Sequence, residues 1–228
     1  MLPTIAFIFA ALESIALKFK LRYLEFVVKP AVMIVLLLWL WQTVSLSGIS
    51  WQSINNMPIW FAVAIIFSLA GDVFLMISVD RLFLGGLVSF LLAHIAYLLG
   101  FYFVIPATGA SWFALVLILG FGFFITRKII LSLKNKGQDR LKWPIIIYSS
   151  VITLMLLVAV INLTEESIWN FEAKILIAIG AVFFYTSDII LAWNKFVTPI
   201  QNGRIYNIGA YHIGQILLVA GCVAQILS

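Results

Sequence analysis

Apolar runs of about twenty residues, broken by short polar or basic stretches, recur from one end of this chain to the other. A helix that crosses the hydrocarbon core of a bilayer needs roughly 20 mainly apolar residues. Cutting the 228 residues at charged and Gly-, Pro- or Asn-rich breaks gives spans at 2–17, 24–44, 58–78, 82–105, 111–131, 143–162, 171–193 and 205–227. The first is short. Strands would also suit the density of Phe, Ile, Leu and Val, but barrel strands are only about 9–11 residues long and alternate in polarity. These runs are longer and do not alternate. The expected fold class is all-α: a polytopic membrane helix bundle of eight transmembrane helices, forming a single transmembrane domain over 1–228.

Charge content closes off a soluble alternative. Only 10% of the residues are charged, against about 25% in soluble domains, too few to cover a water-facing surface. A formal charge of +5 would suggest nucleic acid in a soluble protein. Here its carriers sit in short loops and report topology instead. The lone Cys222 rules out an internal disulfide. The opening run MLPTIAFIFAALESIAL has no Lys or Arg ahead of it, unlike the basic start of a secretory signal. It reads as a retained first span.

Of the 14 Lys and Arg, 12 fall in the odd-numbered loops, six of them between spans 5 and 6, and only Lys29 and Lys174 lie elsewhere, near helix ends. By the positive-inside rule the odd loops are cytoplasmic and both termini extracytoplasmic. The expected location is a bacterial inner (plasma) membrane. Aligning Asp72 with Asp188 also aligns Phe67 with Phe183, the outline of a four-plus-four repeat with both halves in the same orientation.

Those two aspartates stand out, Asp72 in FSLAGDVFLM and Asp188 in FFYTSDIILA. An ionisable residue at the centre of a bilayer costs at least about 2.5–3.5 kcal/mol, so it marks a functional site by default. At a rise of about 1.5 Å per residue they lie about 9 Å and 8 Å from the cytoplasmic ends of spans 3 and 7. Lys29, next to Pro30, is comparably deep, and Glu13 lies near the inner end of span 1. On span 8, Asn207, Tyr211 and Gln215 recur every four residues and share a face. Ser89, His94 and Tyr97 continue the polar set on span 4, with His94 deepest at about 18 Å. Spans 2, 3, 4, 7 and 8 therefore converge on a pocket open to the cytosol or the inner leaflet, not on a complete conduction path.

Each residue also has a structural reading. Either aspartate could cap a helix or pair with Lys29, and Lys29 could snorkel to the interface. His94 could be a satisfied core histidine, and Tyr211 and Gln215 could hydrogen-bond neighbouring helices. His212 falls one position off the polar face of span 8 and is set aside. No G-x-S-x-G elbow, phosphate loop, H-E-x-x-H or zinc-spaced Cys/His pattern occurs. Two histidines are too few for a three-His zinc site. Neither a metal nor a cofactor is expected.

An ordered set of short patterns remains: Lys29-Pro30, G-D-x-F-L-M over 71–76, FLLAHIAY over 90–97, S-D-x-x-L-A over 187–192 followed by Phe196, and Tyr211-x-x-x-Gln215. This set, with eight spans in a chain of this size, resembles the YhhN-like lysoplasmalogenase family. The resemblance implies hydrolysis of the vinyl ether bond of lysoplasmalogens, without a metal. The products would be a fatty aldehyde and glycerophosphoethanolamine or glycerophosphocholine.

A vinyl ether resists base and yields to acid. Its slow step is protonation of the alkene carbon, which leaves an oxocarbenium-like cation for water to attack. Glycosidases place two carboxyls around a similar cation. Desolvation and a second nearby carboxylate are the usual means of keeping one carboxyl protonated. On this chemistry Asp72 and Asp188 are the expected catalytic pair, with His94 orienting the water or the acid. Lys29, Tyr97, Asn207, Tyr211 and Gln215 are the expected substrate-binding residues, Lys29 on the lipid phosphate. The partner is a single-chain lipid entering from the inner leaflet. The rival readings are a proton-coupled transporter using the same aspartates, a hydrolase of another lysolipid, and a lipid-binding protein without turnover.

Overall fold

The computed structural model describes residues 1–228, apart from the side chains of residues 54 and 55. Eight α-helices account for most of the chain: α1 Leu2–Lys18, α2 Arg22–Ser47, α3 Ser53–Ile77, α4 Phe83–Gly100, α5 Gly109–Asn135, α6 Lys142–Thr164, α7 Phe171–Ala192 and α8 Gly203–Leu227. A short 3-10 turn, Asp139–Leu141, leads into α6, and a π-turn, Trp193–Val197, extends α7. All but α1 are long and apolar enough to cross a bilayer, and α1 has 17 residues.

Helix ends follow local chemistry. Gly48 takes a left-handed φ of +69° and closes α2, the conformation glycine adopts at no steric cost. Thr108 and Asn170 cap α5 and α7, each accepting a backbone N–H three residues on. Pro30 stays inside α2, as bilayer helices tolerate where neighbouring helices enclose them. The expected span 82–105 is shorter, because α4 stops at Gly100 and residues 101–107 are not helical. Pro106 supplies no N–H and disfavours helical geometry in the residue before it, and the Tyr102 carbonyl is taken up by the Asn162 side-chain amide. Asn56 has a φ of +60°, and the part of α3 long and apolar enough to span a bilayer begins there, close to the expected 58.

The most extensive pairing is α7 with α8, followed by α3 with α4 and α1 with α2. Glycines make the first of these possible. A Cβ on Gly180 would lie 2.8 Å from the Leu218 backbone nitrogen, and one on Gly214 would lie 2.8 Å from that of Phe184. Small residues of this kind let membrane helices approach closely enough for dispersion to hold them. On the other side of the bundle, α5 turns Phe113, Val116, Phe123 and Phe124 outward, all more than half exposed. That surface suits lipid and not water.

Some helix pairings recur in both halves of the chain. Within each half consecutive helices pair, and across the halves α2 meets α8 while α6 meets α4. The contact of α1 with α8 has no counterpart of like extent between α5 and α4.

Candidate active site

Asp72 lies on α3 facing α2 and α8. Lys29 Nζ on α2 is 3.2 Å from Asp72 Oδ1, and the Tyr211 hydroxyl on α8 donates to Oδ2 at 2.7 Å. One helical turn away on both partners, Gln215 Nε2 donates to Ser68 Oγ at 2.9 Å. The Tyr97 hydroxyl on α4 closes the set by donating to Gln215 Oε1 at 2.6 Å. Ser68 and Asp72 on α3, and Tyr211 and Gln215 on α8, stand four residues apart, so the two helices meet rung by rung. The cluster is sealed: the Lys29 and Asp72 side chains are 7% and 1% exposed. Lys29 therefore neither snorkels nor offers its charge at the interface; it compensates Asp72.

Asp188 on α7 has a different set of neighbours. The Tyr148 hydroxyl on α6 donates to its Oδ2 at 2.5 Å. His94 Nε2 on α4 stands 3.5 Å from the same oxygen, and neither ring nitrogen of this buried histidine has a hydrogen-bond partner among the described residues. No lysine or arginine pairs with Asp188 among the described residues. Its side chain is 11% exposed, and it borders a narrow apolar cavity of about 50 Å³. Leu87 and Phe90 of α4, Ile129 of α5, Tyr148 of α6 and Phe196 of the π-turn are among the lining residues. All of them lie in the half of the bundle nearest the basic loops.

A layer of rings separates the clusters. The Phe184 ring packs 4.5 Å from His94 and 5.4 Å from Tyr211, and Phe90 packs 5.7 Å from Tyr211. Each aspartate thus has its own partners, and no hydrogen bond joins the two carboxyls. Their settings correspond all the same. Each sits between a residue of the preceding helix, Lys29 or Tyr148, and one from the last helix of the other half, Tyr211 or His94. The frame is repeated while the chemistry differs, with a cation beside Asp72 and a neutral phenol beside Asp188.

The remaining expected residues are engaged in the bundle. Asn207 Nδ2 donates to the Ser187 carbonyl and hydroxyl oxygens, both at 2.8 Å, fastening α8 to α7 beside Asp188. Tyr97 and Gln215 spend their polar atoms on each other and on Ser68. Residues beyond the expected set also matter. Tyr148 was visible only as a hydroxyl in the apolar run IIIYSSV. His212, off the polar face of α8, forms a buried pair with Glu13 of α1. Because α8 is enclosed by α1, α2, α3 and α7, it has more than one buried face, and a single-face reading misses that pair.

A model of the YhhN family matches residues 24–222. The chain belongs to the YhhN family. The match runs from α2 into α8 and takes in both aspartate clusters of this YhhN-family protein, leaving Glu13 outside it. Comparison with curated proteins and with solved structures gives no significant match.

Proposed function

We propose that this chain is an integral membrane hydrolase that cleaves the vinyl ether bond of lysoplasmalogens. Family membership supports the reading, and the setting of Asp188 carries it: a carboxyl at the edge of an apolar cavity, with Tyr148 and His94 on one oxygen and no paired cation. The single alkenyl chain lies along the cavity between α4, α5, α6 and α7, with its glycerol end toward the basic loops. The protein is oriented with those loops in the cytoplasm, as the positive-inside rule directs.

In this reading the Asp188 carboxyl transfers its proton to the alkene carbon one bond removed from the ether-bearing carbon. The resulting oxocarbenium ion is stabilised by the Asp188 carboxylate just formed, as in glycosidases. Water held by His94 adds to the cation, and Asp188 takes the proton that water loses. The hemiacetal then collapses to fatty aldehyde and glycerophospholipid headgroup, and the carboxyl is back in its starting state. One water is consumed and no redox change occurs. Tyr148 fixes the orientation of Asp188, which positions the proton for transfer. Asp72, compensated by Lys29 and set behind Phe90, keeps α2, α3 and α8 in register around the cavity.

The test is a substrate panel with purified protein in detergent. A 1-O-alkenyl lysophospholipid should release aldehyde, while its saturated 1-O-alkyl counterpart should be untouched, since it has no carbon to protonate. Release of fatty acid from a 1-acyl lysophospholipid, with none of aldehyde from the alkenyl lipid, would overturn the proposal in favour of an ester hydrolase.

A further inference from the structure

Beside the cavity, at the basic end of the bundle, lies a second recess lined by Asp80, Arg81, Gln138, Arg140 and Lys195, with Phe83 and Phe196 at its base. Those two phenylalanines also line the cavity at Asp188 and pack edge to face at 5.3 Å. They are thus a shared wall, apolar on the cavity side and overlain by the Lys195 ammonium on the other. Lys195 Nζ stands 5.0 Å over the Phe83 ring and 5.9 Å over that of Phe196, and it bonds Asp80 Oδ1 at 2.8 Å and the Val79 carbonyl at 3.3 Å. The backbone that carries it is fastened from α5: the Ser132 hydroxyl donates to the Phe196 carbonyl at 2.5 Å and Lys136 Nζ to that of Val197 at 3.4 Å.

Three cations against one carboxylate leave the recess with a net charge of +2. Asp80 is answered by Lys195. Neither guanidinium, Arg81 nor Arg140, has a carboxylate partner among the described residues. From Asp188 to Phe196 is eight residues, roughly 12 Å along the chain at the rise of a helix, so the recess lies on the basic-loop side of the carboxyl. Arginine presents planar paired donors matched to phosphate oxygens.

We infer that Arg81, Arg140 and Lys195 form the binding site for the phosphodiester of the lipid whose chain occupies the Asp188 cavity. The inference rests on the proposal that this cavity takes the lipid substrate, and it moves the phosphate contact away from Lys29, which Asp72 occupies. Basic residues collect at this end of any membrane protein for topological reasons. What sets these three apart is that the recess they line shares Phe83 and Phe196 with the cavity.

The test is binding, so it does not depend on turnover. The full chain in neutral detergent is titrated with a non-hydrolysable 1-O-alkyl lysophosphoethanolamine and with the 1-O-alkylglycerol of the same chain length, read by tryptophan fluorescence. The phosphate-bearing ligand should bind more tightly to the wild type. Arg81→Gln with Arg140→Gln should weaken it by about 10-fold or more while leaving alkylglycerol binding unchanged, which also shows that the variant is folded. Lys20→Gln, in the α1–α2 loop, should change neither. Equal losses for both ligands, or none for the phospholipid, would overturn the inference. So would displacement of the lysolipid by phosphatidylglycerol but not by alkylglycerol, which would assign the recess to bilayer headgroups. Arginine-dependent binding in a protein that releases no aldehyde would overturn the vinyl ether reading and leave the phosphate site standing.

Discussion

Lys29 Nζ lies 3.2 Å from Asp72 Oδ1, with the two side chains 7% and 1% exposed. Neither side chain reaches water, and each is the other's charge partner. Removing one partner of such a pair leaves an uncompensated charge and costs about 3–5 kcal/mol, whereas replacing both with neutral groups is often close to neutral. Lys29→Met should therefore lower the melting temperature in detergent sharply. Lys29→Met combined with Asp72→Asn should recover most of the loss, and a double variant as unstable as the single one would show that the pair does not act as a unit.

Tyr148 presents the opposite case, a neutral donor on Asp188. Tyr148→Phe keeps the ring, with its packing 5.4 Å from His94, and removes only the hydroxyl. Hydrogen bonds to charged groups contribute about 1.5–3 kcal/mol, so kcat for aldehyde release should fall by about 10-fold or more, with the melting temperature lowered by no more than the loss of one hydrogen bond. A variant with unchanged kcat would remove Tyr148 from the mechanism.

Packing of α7 on α8 gives a stability prediction independent of the chemistry. A Cβ at Gly214 would meet the Phe184 backbone nitrogen at 2.8 Å and the Gly180 carbonyl at 3.0 Å, and backbone cannot step aside. Gly214→Ala should destabilise by about 1–3 kcal/mol, as overpacking does. At Gly120 nothing lies within 4 Å of the added carbon, and alanine there should be neutral or slightly stabilising. Equal melting temperatures for the two variants would contradict the close approach of the helices.

Outside the bundle core, Glu165 follows α6 and anchors the start of α5. The Ser111 side chain beside it, with hydrogen bonds from the Thr108 and Ala107 backbone N–H groups and the Thr108 hydroxyl, holds its carboxyl down to about 2 from an ordinary 4.5. A carboxyl lowered on folding stabilises the protein above its unfolded value, and that contribution disappears as pH falls through the folded one. The melting-temperature advantage of the wild type over Glu165→Gln should therefore be full above pH 4.5 and shrink towards pH 2. An advantage constant over that window would show that the carboxylate is not held by these donors.

Much of this arrangement is legible in the sequence because the bilayer imposes simple rules. Apolar length locates the helices. Four-residue spacing puts Tyr211 and Gln215 on one face of α8, and both do meet α3. Equal depth, however, does not fix direction around the bundle. Asp72 and Asp188 have similar depths as counted along the sequence, yet Phe184 packs against a neighbour of each, Tyr211 and His94. Tyr148 escapes a sequence reading because a tyrosine in an apolar run fits any interior, and its partner is 40 residues away. Glu13 and His212 are 199 residues apart, and only the closure of α1 against α8 brings them together. The end of α4 at Gly100 depends on a proline six residues later and on an amide from α6, neither of which hydropathy registers.

The central claim is that Asp188, not Asp72, delivers the proton. The most direct measurement is single-turnover aldehyde release from a lysoplasmalogen by purified Asp188→Asn, beside Asp72→Asn and the wild type, each first shown to be folded by its melting transition. Loss of a general acid costs about 100- to 10,000-fold in rate, so Asp188→Asn should fall by that much with its fold intact, while folded Asp72→Asn keeps measurable turnover. A folded Asp188→Asn protein that releases aldehyde at a near wild-type rate would contradict the account.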